Sequence, residues 1–264
     1  MSILTLTESP SPGWLDAVRA EHQKMFSVRS TWWTLVAIVV LGAGLTTLIC
    51  ATSAEWLASA EADEAPGSFI TWGMMIAPVG AVVLGALAIT TEYGSGQIRS
   101  TFATTPARGR VLAAKALVLA VVLFLVGTVT ALIGYVGGNH FLDRHGIGLA
   151  LEGDVLRAMY GSGLYLAALG VMSLAVGFIV RHTAAAISLM LALIFVVSGM
   201  SPLIPGRVGD WIEKLMPGNA GPSIATPVDF NPNLLDAWTG YGVFLAETAI
   251  VVAVAWALLR RRDV

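Results

Sequence analysis

The stretch VLAAKALVLAVVLFLVGTVTALIGYV, residues 111–136, is apolar almost without interruption. A helix rises about 1.5 Å per residue, so about 20 apolar residues are enough to cross a bilayer core roughly 30 Å thick. The only charged side chain in the stretch is Lys115, close to its start. Because no water-soluble core requires an apolar run of this length, the stretch predicts a helix that spans a membrane.

The composition of the whole chain agrees with this prediction. Of the 264 residues, 56% are hydrophobic and 12% are charged, whereas a soluble domain carries about 25% charged residues. Six runs are long enough to span, at about residues 32–52, 69–90, 111–136, 158–180, 184–200 and 241–259. These runs are continuous and do not alternate with period two, which favours helices over barrel strands. The predicted fold class is all-α, a polytopic membrane protein with six transmembrane helices.

The distribution of lysine and arginine predicts how the spans are oriented. If the N-terminus is cytoplasmic, the cytoplasmic connections receive eleven of the 15 basic residues and the outer connections receive four. Cytoplasmic loops carry the excess of positive charge in membrane proteins. Both termini are therefore expected in the cytoplasm, with residues 260–264 as a basic tail. No cleavable signal peptide is expected, since the first thirty residues lack a suitable apolar core.

Residues 1–31 predict an amphipathic helix that lies in the cytoplasmic interface. Apolar or aromatic side chains recur at intervals of three and four: Leu15, Val18, His22, Met25 and Phe26. Arg19, Lys24 and Arg29 fall elsewhere around the helix, where they would meet lipid phosphates. An ordinary solvated tail is the alternative interpretation.

The connection between the fifth and sixth spans, residues 201–240, is too long for a turn. Its prolines exclude another spanning helix. Short amphipathic pieces at 210–215 and 234–238 predict re-entrant or surface helices on the extracellular side, with Trp211 and Trp238 at headgroup level. A structured extracellular cap is expected.

Small residues recur at every fourth position in two of the predicted spans. The second span carries Ala77, Ala81 and Gly85, and the third carries Thr130, Gly134 and Gly138. Such ridges let helices approach closely in lipid. They are consistent with packing within one subunit, which is the favoured interpretation, or with the seam of a dimer.

Several kinds of catalytic chemistry have no motif in this chain. There is no GxxxxGK[ST] phosphate loop, no HExxH and no GxSxG. The single cysteine, Cys50, excludes an intrachain disulfide, and the scattered histidines suggest no metal site. No basic domain suited to nucleic acid lies outside the spans. We therefore predict no catalytic residue, no metal and no nucleic-acid partner.

Glu247 is the one carboxylate predicted to lie near the middle of a span, in YGVFLAETAIVVAVAWALL. A carboxylate at that depth is costly unless it is protonated, paired or facing water, so it is a candidate for the translocation path. The alternative is a neutral acid that hydrogen-bonds a neighbouring helix. A proton-coupled secondary transporter using Glu247 is a further hypothesis, although such carriers usually show more than one buried ionisable group.

Residues 91–115, TEYGSGQIRSTFATTPARGRVLAAK, form a polar connection between the second and third spans. Gly94 and Gly96 predict a break, and Pro106 predicts the end of a short helix, because the residue before proline avoids helical geometry. One face of this helix carries an apolar stripe: Ile98, Thr101, Phe102 and Thr105. Arg99 projects from another face, and Lys115 is expected to snorkel to the interface. The pattern predicts a helix parallel to the membrane that offers its stripe and cations to a cytoplasmic partner; a solvated loop is the alternative.

This connection closely resembles the signature of type 2 ABC exporter permeases of the short actinobacterial kind. VRAEHQKMFSVRSTWW is similar to that family's N-terminal interfacial segment, LMPGNAG to its outer-loop motif, and LLRRRDV to its C-terminal end. The resemblance implies that residues 96–105 form a cytoplasmic coupling helix, which sits in a groove of a separate ATPase. The residues it assigns to ATPase coupling are Glu92, Gly96, Ile98, Arg99, Thr101, Phe102, Pro106 and Arg108. Gln97 departs from the threonine common at its position.

The resemblance further implies a membrane-spanning subunit, residues 32–259, in a bacterial cell membrane. Two copies of an ABC ATPase would bind ATP and Mg, and this chain would hold no cofactor of its own. A second permease copy, giving a homodimer, and membrane lipid complete the expected partners. The expected function is alternating-access efflux of an amphipathic substrate. The alternative, from another functional class, is an ABC-like membrane sensor or scaffold subunit that senses a compound without transporting it.

Overall fold

The chain folds into a bundle of helices. The structure is a computed structural model that describes residues 13–104, 108–228, 231 and 233–261, without the side chains of residues 102–104. Within these ranges every regular element is a helix. In chain order the α-helices are α1 (Trp14–Ser27), α2 (Arg29–Leu57), α3 (Ala77–Gly94), α4 (Gln97–Thr104), α5 (Arg108–Arg144), α6 (Gly153–Val180), α7 (Thr183–Leu191), α8 (Ser198–Met200), α9 (Gly206–Leu215), α10 (Pro217–Ala220) and α11 (Ala237–Arg261).

Six segments of the described chain are long and apolar enough to cross a membrane. They are α2, α3 with the turns before it, α5, α6, the segment Thr183–Leu203 containing α7 and α8, and α11. The predicted all-α, six-span architecture is therefore confirmed. Most helices extend beyond the predicted ends: α5 has 37 residues and α2 has 29. Hydropathy marks only the residues at hydrocarbon depth, whereas a helix can continue into the headgroup layer.

The start of the second span differs from the prediction of one continuous helix from residue 69. Two 3-10 turns, Pro66–Ser68 and Trp72–Met75, precede α3. The backbone N–H of Gly73 donates to the Thr46 hydroxyl of α2 at 2.8 Å. A Cβ on Gly73 would collide with the Gly42 carbonyl, so only glycine permits this approach. The interrupted backbone is thus satisfied by a neighbouring helix, as burial in a membrane requires.

Helix α6 forms the centre of the bundle, with 72% of its apolar window buried. It packs against α5, α3 and α11, while α2 packs along α5. Both small-residue ridges lie inside this packing. Gly134 faces Thr46 of α2, and Gly85 faces the Gly170 backbone of α6. The prediction that these ridges pack within one subunit is confirmed.

The fifth span contains a π-helical turn, Ala192–Val197. The Ser198 hydroxyl donates to the Leu193 carbonyl at 2.9 Å and accepts the Gly218 N–H at 3.1 Å. Gly218 belongs to the LMPGNAG stretch, and a Cβ there would collide with the Ile194 carbonyl. This motif therefore lets α10 approach the widened turn closely.

The rest of the 201–240 connection folds as short helices, as predicted in outline. Helix α9 covers the predicted piece at 210–215 and leaves Trp211 62% exposed. The predicted second piece at 234–238 is wrong as a separate helix, because Trp238 lies in the first turn of α11. Arg157 of α6 holds the connection by donating to the carbonyls of Ser223, Ile224 and Thr226.

Candidate functional site

One end of the bundle gathers α1, the end of α3, α4 and the start of α5, and we call it the α4 end. Val28 adopts an extended conformation between α1 and α2, which turns the chain so that α1 packs against α5. The end of α11 lies here as well, since the Arg108 guanidinium donates to the Leu259 carbonyl at 2.9 Å. The first and last described helices therefore meet at the same end of the bundle.

A buried lysine joins two buried carboxylates at the α4 end. The Lys115 ammonium lies 2.5 Å from Glu21 Oε2 and 2.6 Å from Glu92 Oε1. The three side chains are between 5% and 7% exposed. Glu21 comes from α1, Glu92 from α3 and Lys115 from α5. The predicted snorkelling of Lys115 to the interface is wrong, because its ammonium is paired inside the protein.

Lys24 of α1 completes this arrangement with three acceptors. Its ammonium donates to Glu21 Oε1 at 3.0 Å, to Glu92 Oε1 at 3.3 Å and to the Thr101 hydroxyl at 3.3 Å. Thr101 of α4 in turn donates to Glu92 Oε2 at 3.4 Å. We call Glu21, Lys24, Glu92, Thr101 and Lys115 the α4-end cluster. Its two carboxylates balance its two ammonium groups.

The electrostatics of Lys24 reflect this balance. Burial lowers the pKa of its ammonium, but the nearby carboxylates of Glu21 and Glu92 outweigh that effect and leave the pKa above its ordinary value. Lys24 therefore stays charged and paired at neutral pH. The expectation that it reaches toward lipid phosphates is wrong, whereas Arg19 of the same helix does remain exposed.

Burying three of these four charges is costly, so the cluster must keep its partners. The desolvation of each ion is offset only while opposite charges and hydrogen bonds surround it. Removing one partner of a buried pair costs about 3–5 kcal/mol because a charge is left uncompensated. The cluster thus fixes α1, α3, α4 and α5 relative to one another.

The apolar stripe predicted on α4 points into the protein. Ile98 is 2% exposed and belongs to the main core, and Thr101 is 8% exposed within the α4-end cluster. The prediction that these two side chains are offered to a partner is therefore wrong. The exposed face of α4 instead carries Gln97 and Arg99. Gly96 precedes the helix with φ of 73°, a conformation that permits the predicted break.

The other predicted coupling residues fall in different places. Glu92 is buried in the α4-end cluster, so its carboxylate does not reach the surface. Arg108 donates to the Leu259 carbonyl in the last turn of α11, which stabilises the negative end of that helix. The side chain of Phe102, and Pro106 with Thr105, lie outside the described residues, as do residues 1–12 and 262–264 of the predicted termini.

Sequence reasoning missed Glu21 as a member of the site. Ala17 and Glu21 are the buried residues of α1, one helical turn apart. A signal existed in Lys115, because a lysine inside an apolar run requires an acidic partner. That partner is 94 residues away in the chain, so its identity could not be read from spacing.

A cavity of about 200 Å³ adjoins the cluster. Lys24 and Glu92 lie on its polar wall, and Leu84, Leu87 and Val118 lie on its apolar wall. The cavity lies between α1, the start of α2, α3 and α5.

Glu247 lies apart from this site, on the partly buried side of α11. Its Oε2 atom is buried and has no hydrogen-bond partner among the described residues. The hydroxyl of the neighbouring Thr248 is buried and unpartnered in the same way. No hydrogen bond from a neighbouring helix in the described part of the chain reaches this oxygen, and the place of Glu247 on a translocation path and its alternative packing role both stay predictions.

Comparison with known proteins gives one match that covers most of the chain. A family model described as "ABC-2 family transporter protein" matches residues 19–264. This range includes the α4-end cluster and all six membrane-spanning segments. No curated protein matches the chain significantly.

Proposed function

Since the chain belongs to the ABC-2 family of transporter proteins and is a membrane permease of an ABC transporter, we propose that it is an exporter subunit driven through α4. Permeases of this family work with ABC ATPase partners. In the proposed complex, two ATPase subunits bind ATP and Mg and two copies of this permease form the pathway. The permease itself carries out no covalent chemistry.

The observation that carries this proposal is the construction of α4. It is a short helix whose inner face, with Ile98 and Thr101, is fixed to the bundle, and whose outer face presents Gln97 and Arg99. A helix built in this way can receive a push on its polar face and pass it to the spans through its buried face. This supports a coupling helix that contacts the ATPase through polar side chains.

The path of the displacement follows from the contacts of α4. Thr101 binds Glu92 at the end of α3, and Glu92 binds Lys115 at the start of α5. Movement of α4 would therefore displace the second and third spans together. ATP binding can shift the permease only as far as the ATPase contacts differ between its two states. Alternating access would result when the paired permeases exchange an inward-facing cavity for an outward exit.

The proposed direction is export, and the proposed substrate class is amphipathic. The export direction and a homodimeric arrangement are supported by the resemblance of EYGSGQIRSTFATTPARGRVLAAK to exporter permeases. The apolar walls of a six-span bundle suit substrates with a large nonpolar part.

The docking face is tested by replacing Arg99. Arg99→Glu reverses a charge on the exposed face of α4 without touching its buried side. We expect the variant to fold normally but to lose at least about tenfold in affinity for the ATPase, because a like charge at an interface costs several kcal/mol. Co-purification with the ATPase from native membranes, followed by quantitative binding, measures this loss.

Arg144→Glu is the matched control, because Arg144 is exposed at the opposite end of α5. It should bind the ATPase like the wild type. Unchanged binding of Arg99→Glu would show that α4 does not dock in the proposed way.

A further inference from the structure

Helix α1 is held to the bundle mainly by its charged face. Its buried residues are Ala17 and Glu21, while Trp14 and Leu15 are 43% and 65% exposed. Met25 and Phe26 are only partly buried against the core. The position of α1 therefore depends on Glu21 and on its neighbour Lys24 rather than on a broad apolar contact.

The two side chains reach three different elements. Glu21 binds Lys115 of α5, while Lys24 binds Glu92 of α3 and Thr101 of α4. These hydrogen bonds and ion pairs connect α1 to the helices that the proposed ATPase contact would displace. If α1 stayed behind while α4 moved, buried charges would lose their partners, which is strongly unfavourable.

We infer that Glu21 and Lys24 are positioning residues. They fix α1 to the other members of the α4-end cluster, on α3, α4 and α5, so that α1 moves together with α4. This inference rests on the proposed function, because it assumes that an ATPase displaces α4. It assigns α1 a role as a moving part of the coupling apparatus. A passive helix in the membrane interface would need no buried carboxylate facing α5.

The test separates a positioning role from a contribution to stability. Glu21→Gln leaves two lysines with one carboxylate, so its unfolding temperature should fall. In Glu21→Gln/Lys24→Gln the remaining Glu92 and Lys115 balance each other, and the unfolding temperature should return toward that of the wild type. The single variant keeps the contacts of Lys24 with Glu92 and Thr101, whereas the double variant has lost the links of both side chains.

The first readout is a distance within the permease alone. Spin labels are placed at Gln23 of α1 and Ala113 of α5, both exposed; the natural Cys50 is 0% exposed and does not compete for label. The wild type should give a narrow distance distribution, and the double variant a broader one. A narrow distribution in the double variant would overturn the lock between α1 and the cluster.

The second readout is the stimulation of ATP hydrolysis when the permease joins the ATPase that co-purifies with it. The double variant should lose at least about fivefold of this stimulation, which is the lower end of coupling between sites, even though its stability recovers. Recovery of stimulation together with stability in the double variant would show that the cluster is only structural. Failure of the wild-type permease to stimulate the ATPase would instead contradict the proposed function.

Asp16→Asn is the control, because it removes a carboxylate from the same helix at an exposed pair with Arg19. Its distance distribution and its stimulation should both match the wild type. A loss of either in this variant would mean that any charge change on α1 disturbs coupling, and would remove the support for Glu21.

Discussion

Glu247 has a buried carboxyl oxygen whose desolvation lowers stability, and no hydrogen bond among the described residues offsets this loss. Its buried Oε2 has no hydrogen-bond partner among the described residues. Proteins keep such groups where function requires them, and they are often less stable for it. The residue therefore offers a direct test of function against stability.

Replacing Glu247 with leucine should stabilise the permease by about 1 kcal/mol, because an unpaired polar atom leaves the apolar interior. Thermal unfolding in nanodiscs measures this gain. If Glu247 lies on the translocation path, transport should fall in Glu247→Leu although stability rises. Unchanged transport would leave the carboxyl without a functional role, and reduced stability would mean that it has a partner not seen in the described chain.

Gly85 tests the close packing between α3 and α6. A methyl group there would collide with the Gly170 carbonyl. Nearby, the Ser173 hydroxyl donates to the Val82 carbonyl at 2.7 Å, so the two backbones have little room to separate. We expect Gly85→Ala to lower the unfolding free energy by about 1–3 kcal/mol, measured by thermal or denaturant unfolding.

Gly44→Ala is the matched control for this prediction. Gly44 also lies inside a spanning helix, but a Cβ there meets nothing within 4 Å. Its replacement should leave stability unchanged or raise it by about 0.5–1 kcal/mol, because alanine favours the helix. Equal losses in both variants would contradict the packing argument.

At the scale of elements, Arg157 holds the connection after the fifth span against α6. Its side chain is 11% exposed and donates to three backbone carbonyls of this connection, those of Ser223, Ile224 and Thr226. Arg157→Met keeps the apolar stem but removes the donors. Amides in residues 222–226 should then exchange hydrogen at least about tenfold faster, because charged hydrogen bonds contribute about 1.5–3 kcal/mol.

Asp154→Asn provides the comparison, because Asp154 also pairs with Arg157 but is 73% exposed. An exposed pair contributes little, so exchange in residues 222–226 should stay close to that of the wild type. Equally fast exchange in the two variants would mean that Asp154, and not the carbonyl contacts, positions Arg157.

The elements show where sequence reasoning succeeds and where it stops. Hydropathy predicted the six spans because lipid requires long apolar helices. It did not predict the 3-10 turn Trp72–Met75, since those residues are as apolar as a spanning helix, and the backbone N–H of Gly73 there is satisfied by Thr46 of α2. Ile98 and Thr101 of the predicted stripe do share one face of α4, but a stripe does not reveal whether it packs on its own chain or on a partner.

The candidate site was less predictable than the fold for a physical reason. Glu92 and Lys115 were singled out from one short connection, but Glu21 and Lys24 belong to a distant segment. Amphipathic spacing directed Lys24 toward lipid phosphates and did not single out Glu21 at all. Buried ion pairs depend on tertiary contacts, and these contacts bring together residues up to 94 positions apart.

At the scale of the whole molecule, the topology can be tested with cysteines. Gln23 in α1 and Asp210 in α9 are both exposed. Gln23 precedes the first span and Asp210 follows the fifth, so an odd number of spans separates them. If the termini are cytoplasmic, a membrane-impermeant maleimide should label Asp210→Cys in intact cells. It should label Gln23→Cys only after the membrane is opened.

Buried Cys50 gives little background in this experiment. Labelling of Gln23→Cys in intact cells, with Asp210→Cys protected, would invert the orientation predicted from the basic residues. It would also place the exposed face of α4 outside the cell, where no cytoplasmic ATPase could reach it.

Helix α5 is long enough to connect the α4-end cluster to the opposite end of the bundle. With 37 residues and no proline, α5 is a rod of about 55 Å. Near one end of α5, Lys115 binds Glu21 and Glu92. Near the other end, Tyr135 and Asn139 bind the Leu149 backbone. A tilt of about 5° about the lysine end would swing the far end by roughly 4–5 Å. If an ATPase displaces α4 as proposed, a tilt of α5 would carry a small movement at the α4 end into a larger one at the other end of the bundle.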